Sequence, residues 1–250
     1  MTTTKAPKLS EAIVGLLQLL ARGAGPNDTI ACTRHAGRAL GASELMLPVA
    51  TVSSSWIPGG LLRLLEQDFS PWGLGLAVRR PTGRGLLLPA VGAWFPFQRT
   101  MRHPTKPDSP YGKQWVWPDQ EIGEAIARAE AFLPTSAVVD ARGEVVALWA
   151  LAAPVPTNHQ DAAVRRLLNR IAARVGAREL PADARLDGLE VWCPGFDVRN
   201  GGGIPDKACC VSLDLERRYT LEQLEAALAA APMPAPTPEP AARATARAKR

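Results

Sequence analysis

The stretch WPDQEIGEAIARAEAFLPTSAVVDARGEVVALWALAAPV, residues 117–155, decides the fold class, because its hydrophobic period changes partway along. From Asp119 onward Ile122, Ala125, Ile126, Ala129 and Phe132 recur at steps of three and four, which lines one face of a helix. Beyond Pro134, residues 137–139 and 145–151 are rich in valine and large apolar side chains and read as two strands, with the turn at 140–143 between them. Working backward, residues 45–52 (LMLPVATV), 73–79 (GLGLAVR) and 91–97 predict strands. Working forward, residues 160–176 predict a helix with Val164, Leu167, Leu168, Ile171 and Val175 on one face and Gly176 as its C-cap. Residues 189–193 and 209–215 predict two more strands. Residues 220–230 predict a last helix, capped by Thr220 with Gln223 three residues on. There is no internal repeat. Strands and helices mixed in this order, with several hairpins, predict a single α+β domain with a mixed or antiparallel sheet.

The chain ends frame that domain. Leu9, Ile13, Leu16, Leu17 and Leu20 fall at helical spacing, with Ser10 as N-cap and Gly23 as stop. Lys5 and Lys8 before an apolar run imitate a secretion signal, but Glu11 and Gln18 interrupt the run, so an amphipathic packing helix is expected. No window reaches the roughly 18 apolar residues that span a membrane. The expected division is a disordered start over 1–8, an N-terminal helical segment over 9–43, the main domain over 44–230 and a disordered tail over 231–250. That tail, rich in Pro and Ala, finishes in Arg and Lys.

Composition sets the outer bounds. Of 250 residues 46% are hydrophobic and 21% charged, enough to bury a core, which excludes a disordered chain, a disulfide miniprotein and a collagen-like repeat. The net charge of +5 is concentrated in the tail, where Arg243, Arg247, Lys249 and Arg250 face only Glu239. The body is near neutral, so a nucleic-acid partner must be argued from local clusters. Cys32, Cys193, Cys209 and Cys210 have no C-x-x-C spacing, and two are adjacent. They read as small buried hydrophobes of a reducing, cytoplasmic compartment. His35, His103 and His159 stand apart, with no carboxylates at ligand spacing. The G-x-S-x-G, P-loop and H-E-x-x-H motifs are absent.

Three basic features point to an anion. In RRPTGRG, Arg79, Arg80 and Arg84 flank glycines that let backbone N–H groups approach a phosphate. Over residues 99–117, Arg99, Arg102, His103, Lys106 and Lys113 interleave with Tyr111, Trp115 and Trp117, a mixture suited to pairing phosphates and stacking unpaired bases. Arg166, Arg170, Arg174 and Arg178 follow at four-residue steps opposite an apolar helix face. Like charges so spaced repel slightly, which makes an anionic partner the compensating element. Each feature also has a plain reading, as a solvated turn, a surface loop folded onto the core, and a solvated helix face.

The succession of segments resembles the archaeo-eukaryotic primase superfamily, in particular the primase-polymerase domains of bacterial plasmids and phages. The resemblance covers roughly residues 44–228. LAVRRPTGRG followed by LPAVGAWF is similar to the family's strand, basic turn and next strand. Residues 117–155 are similar to the helix and hairpin that carry its second motif. GLEVWCPGFDVRNGG, Lys207 and VSLDLERRYTLEQL are similar to the third-motif region and the helix after it. The resemblance implies an RRM-like catalytic core. It also implies chemistry with two metal ions held by a D-x-D pair and a third acid, and a histidine on the nucleotide phosphates. This chain departs from that pattern. Pro96 and Gln98 stand where the acids are implied, and Val146 stands near the implied histidine. Asp187 and Asp197 flank the Pro194-Gly195 turn of the third segment.

The resemblance thus implies a fold and a replication setting without the family's catalytic residues. The expected function is a non-catalytic, accessory nucleic-acid-binding protein with no metal or other cofactor. It would act on single-stranded or primer–template DNA beside a separately encoded helicase, primase or polymerase. Its contacts would come from Arg79, Arg80, Arg84, Arg99, Arg102, Lys106, Lys113, Trp115, Arg166, Arg170, Arg174 and Lys207. Two alternatives stand beside it. One is an active primase using Mg²⁺ or Mn²⁺ at a rebuilt site, with Glu144 and Asp187, and with Asp140 and Asp183, as substitute acids. The other is a protein–protein scaffold working through the tail and the first helix.

Overall fold

The computed structural model describes residues 8–35, 42–53, 72–81, 85–98, 100–102, 114–141, 143–195, 197–198 and 206–230. Helix α1, Leu9–Ala21, buries Ile13, Leu16, Leu17 and Leu20, the face its spacing predicts. It starts two residues earlier than expected: Lys8 is its N-cap, and the Lys8 N–H donates to the Glu11 carboxylate at 3.1 Å, so Ser10 is inside the helix. Gly23, at φ 71°, turns the chain away from its end.

Strand β1, Thr29–His35, lies in the segment read as helical, and it pairs antiparallel on both sides, with β2 and with β3. Strand β2, Ala42–Pro48, is shorter than the expected 45–52. Residues Val49–Ser53 form a short helix, α2, whose first N–H groups bond to Asp28 O and Pro26 O instead of continuing a ladder. Strands β3 (Trp72–Arg79) and β4 (Leu86–Pro96) follow, then a small hairpin of β5 (Thr100–Arg102) and β6 (Gln114–Val116). The deciding stretch folds in the order read, helix α3, Asp119–Phe132, then β7, Ala137–Asp140, and β8, Glu144–Thr157, which runs six residues past the expected end at 151.

Helix α4, Ala162–Val175, is opened by the Asp161 carboxylate, which accepts from the N–H groups of Ala163 and Val164. Gly176, left-handed at φ 70°, closes it as predicted. After a short 3-10 turn, Leu186–Gly188, come β9 (Glu190–Trp192), the two-residue strands β10 (Asp197–Val198) and β11 (Asp206–Lys207), and β12 (Cys209–Leu213). Helix α5, Leu221–Ala230, starts at the predicted reciprocal cap between Thr220 and Gln223.

Among the described residues the main sheet has eight strands in the order β12-β7-β8-β4-β3-β1-β2, with β9 also on β3. Every named pairing in it is antiparallel. Adjacent residues of β8 face opposite sides of the sheet. Trp149 meets Phe132 of α3 edge-on at 5.4 Å and donates its indole N–H to Leu133 O at 2.8 Å. Leu148 shares its face with Ala137 and Leu213, and Leu213 lies against Gly15 of α1. The sheet is thus packed between α1 and the α3–α4 side, a layered α+β arrangement. Cys32, Cys193 and Cys210 are buried and Cys209 is exposed; burial pushes the Cys32 and Cys210 thiols up to about 12. No helix among the described residues is long and apolar enough to cross a membrane.

One irregularity positions the site. β3 and β4 pair only at Val78↔Leu87 and Arg79↔Leu86, and then diverge. β9 takes the freed edge of β3, from Gly75↔Glu190 to Gly73↔Trp192. On β4 the carbonyl of Trp94 accepts from the Arg178 N–H at 2.8 Å. Segments from both sides of the 3-10 turn are thereby wedged against the splayed strands.

Candidate nucleic-acid interface

At the far ends of β4 and β8 the register places Pro96 opposite Glu144 and Trp94 opposite Val146. Val146 is fully buried in the core, and Trp94 is buried with its indole N–H on Glu190 O at 3.0 Å. Pro96 and Gln98 are exposed, and the Phe97 N–H bonds Gly143 O at 2.9 Å. Glu144 is half-buried. Burial pushes its carboxyl above the usual range, against the opposing pull of Arg178, at 3.3 Å, and of a hydrogen bond from Trp192.

Beside it the Trp192 ring lies 5.1 Å from the His35 ring, and His35 Nε2 meets Glu190 Oε2 at 2.7 Å. That hydrogen bond raises the His35 pKa, outweighing the opposite effect of burial. Gly73 makes room for the pair, since a Cβ there would run into the Glu190 carboxylate. Glu144 is already met by Arg178 and Glu190 by His35. Proline and valine offer no ligand atom, so the residues at this end do not fit a two-metal site. Among the described residues no group of three His, Cys, Asp or Glu side chains is placed to hold a metal.

The proposed substitute acids are not brought together. Asp140 is buried on β7 between Val145 and Cys209, and Asp183 is exposed on the loop after α4. Asp187 sits in a second cluster, on the 3-10 turn. Its carboxylate accepts from His159 Nδ1 at 3.0 Å and from two nitrogens of Arg185, each at 3.0 Å, with Arg79 at 4.0 Å. Burial alone would raise its pKa, but the Arg185 and His159 hydrogen bonds overturn that and hold it down at about 2. Arg79 lies over Met46 and forks onto Glu44 at 2.7 and 2.8 Å. Arg80 is exposed, and its N–H closes the turn on Gly85 O at 3.2 Å.

The arginine stripe is only partly open. Arg166 is exposed, Arg170 Nη1 donates to both carboxylate oxygens of Glu225 of α5 at 2.7 and 2.9 Å, and Arg174 is half-buried. Arg178 lies past the helix end, on Glu144. Lys207 is exposed on β11. Arg102 and Trp115 take strand positions in the β5–β6 pair, and residues 103–113 between them lie outside the described residues. The side chains of Arg102 and Trp115, and Arg84, Arg99, Lys106 and Lys113, lie outside the described residues. The pairs His35–Glu190 and His159–Asp187–Arg185 are absent from the sequence reading. Their members, apart from Arg185 and Asp187, are far apart in the chain, and the spacing carries no signal for them.

No protein-family model matches the chain, and no curated protein matches it in sequence. The catalytic domain of primase RepB′, solved in complex with initiator DNA, matches with a TM-score of 0.48 and 10% identity, over 85% of this chain and 93% of that one. A structure of primase RepB′ matches with a TM-score of 0.49 and 12% identity, over 88% of this chain and 62% of that one. The chain thus spans about three-fifths of the longer neighbour.

Proposed function

We propose that the chain is a primase-like protein that binds nucleic acid without transferring nucleotides. It acts in the cytoplasm as an accessory subunit beside a separately encoded helicase, primase or polymerase of a phage or plasmid. The ligand is single-stranded or primer–template DNA. The observation that carries this reading is the pairing of Glu144 with Arg178 and Trp192 directly opposite Pro96. Two-metal nucleotidyl transfer needs several carboxylates shared between two cations about 4 Å apart. Here a guanidinium already neutralises the Glu144 carboxylate at the strand ends, and the facing strand supplies no second acid. Exposed Arg80, Arg166 and Lys207 remain for phosphates.

The test is incorporation of labelled nucleotides with Mg²⁺ or Mn²⁺ on primed and unprimed templates, at protein concentrations that saturate the template. The expected result is no product with either metal. Product that disappears in Glu144→Ala or Asp187→Ala would overturn the proposal in favour of an active enzyme with a rebuilt site.

A further inference from the structure

We propose that His159 and Arg185, both anchored by Asp187, form a preorganised site for a phosphodiester group of nucleic acid. The site rests on the nucleic-acid reading above and gives it an address. Three segments converge there. Arg79 comes from the end of β3, His159 from the loop after β8, and Arg185 and Asp187 from the 3-10 turn. The Leu86↔Thr157 pairing and the Arg80 N–H bond to Gly85 O set exposed Arg80 on the side of the His159 loop. The Leu186 N–H bonds His159 O at 3.0 Å and ties that loop to the 3-10 turn.

The bonding pattern separates this cluster from an ordinary ion-pair brace. The Asp187 side chain is only 11% exposed, whereas that of Arg185 is 60% exposed. The two residues are two positions apart on one turn, so their fork joins no separate elements. What it fixes is the direction of the guanidinium. Two of the five guanidinium N–H donors face Asp187, Nη2 also lies 3.3 Å from His159 Nδ1, and Nη1 stays with the exposed side chain. On His159, Nδ1 is committed to Asp187, which leaves Nε2 as the other ring nitrogen. A buried carboxylate that orients an imidazole and a guanidinium side by side, 3.3 Å apart, removes the ordering penalty of binding an anion. Arg79 gives both terminal nitrogens to Glu44, whereas Arg185 meets Asp187 through Nε and Nη2, so its Nη1 edge is the one turned toward phosphate oxygens.

The experiment is fluorescence anisotropy of the full chain with a labelled single-stranded DNA oligonucleotide across a salt series. Arg185→Ala and His159→Ala are each expected to weaken binding about 3- to 10-fold, and Arg185→Ala to reduce the log–log salt slope by about 0.7. Arg185→Lys keeps the charge but loses the fork, so it weakens binding while retaining the slope. Asp187→Asn removes a negative charge, which through-space attraction alone would turn into tighter binding; loss of positioning predicts weaker binding instead. Wild-type binding with all of these variants within about twofold of it would overturn the phosphate site and leave the nucleic-acid reading standing. Absence of wild-type binding at low salt would end that reading itself. Should Asp187→Asn fail to fold, the exposed Arg185 variants decide the matter.

Discussion

Asp187 carries more than one role at the scale of a single side chain. Its folded pKa of about 2 lies below the ordinary 3.8, so its ionised form stabilises the fold. That contribution is complete above about pH 4 and is lost as pH falls toward 2. Asp187→Asn is therefore expected to lower stability by about 1–2 kcal/mol at neutral pH, with the difference vanishing below about pH 2; urea unfolding at several pH values measures it.

His35 has the opposite sign. Its pKa is raised by the Glu190 hydrogen bond, so its contribution is present below about pH 6.5 and is lost as pH rises through the folded value. His35→Ala is expected to flatten the thermal stability profile between about pH 5 and about pH 8. An unchanged profile would show that the His35–Glu190 pair does not couple to folding. Neither partnership was legible beforehand: Glu190 is 155 positions from His35, and nothing in either local sequence marks the other.

Elements were legible where one face is buried over several turns. In α3, α4 and the β7–β8 hairpin the structure follows the hydrophobic period, and at the end of α4 it follows the Gly176 cap as well. The same logic fails for β1. In TIACTRH the buried run is only Ile30, Ala31 and Cys32, and polar residues surround it, so its strand character comes from β2 and β3 on either side. Pro48 is where local chemistry overrode apolar content, ending β2 and letting Val49–Ser53 turn as a helix.

Two substitutions test the elements directly. Trp149→Ala removes a fully buried indole, its hydrogen bond to Leu133 and the edge contact with Phe132. A loss of about 3–5 kcal/mol in denaturant unfolding is expected. Gly23→Ala would place a Cβ 2.6 Å from the Pro154 ring at a left-handed backbone position, so a loss of about 1–2 kcal/mol is expected. A Gly23→Ala protein as stable as wild type would mean that the end of α1 moves away from β8.

At the scale of the whole molecule, the α+β class follows from sequence, whereas the electrostatic state of the cations does not. Arg79 and Arg170 read as open charges, and long-range carboxylates, Glu44 and Glu225, engage them. Arg80, Arg166 and Lys207 are exposed. The divergence of β3 from β4 brings β9 and the 3-10 turn into the sheet, and with them the Glu144–Arg178 and Asp187 clusters. That divergence is a tertiary property with no local signature.

Nucleic acid held through its phosphates, as proposed for this molecule, must bind in a salt-dependent way. The most direct test is equilibrium binding of the full chain to a labelled single-stranded oligonucleotide between about 50 and about 200 mM salt. Neutralising about three phosphates predicts a fall in affinity of roughly 20-fold over that range. An affinity that stays level across it, or no binding at the lower salt, would contradict the account.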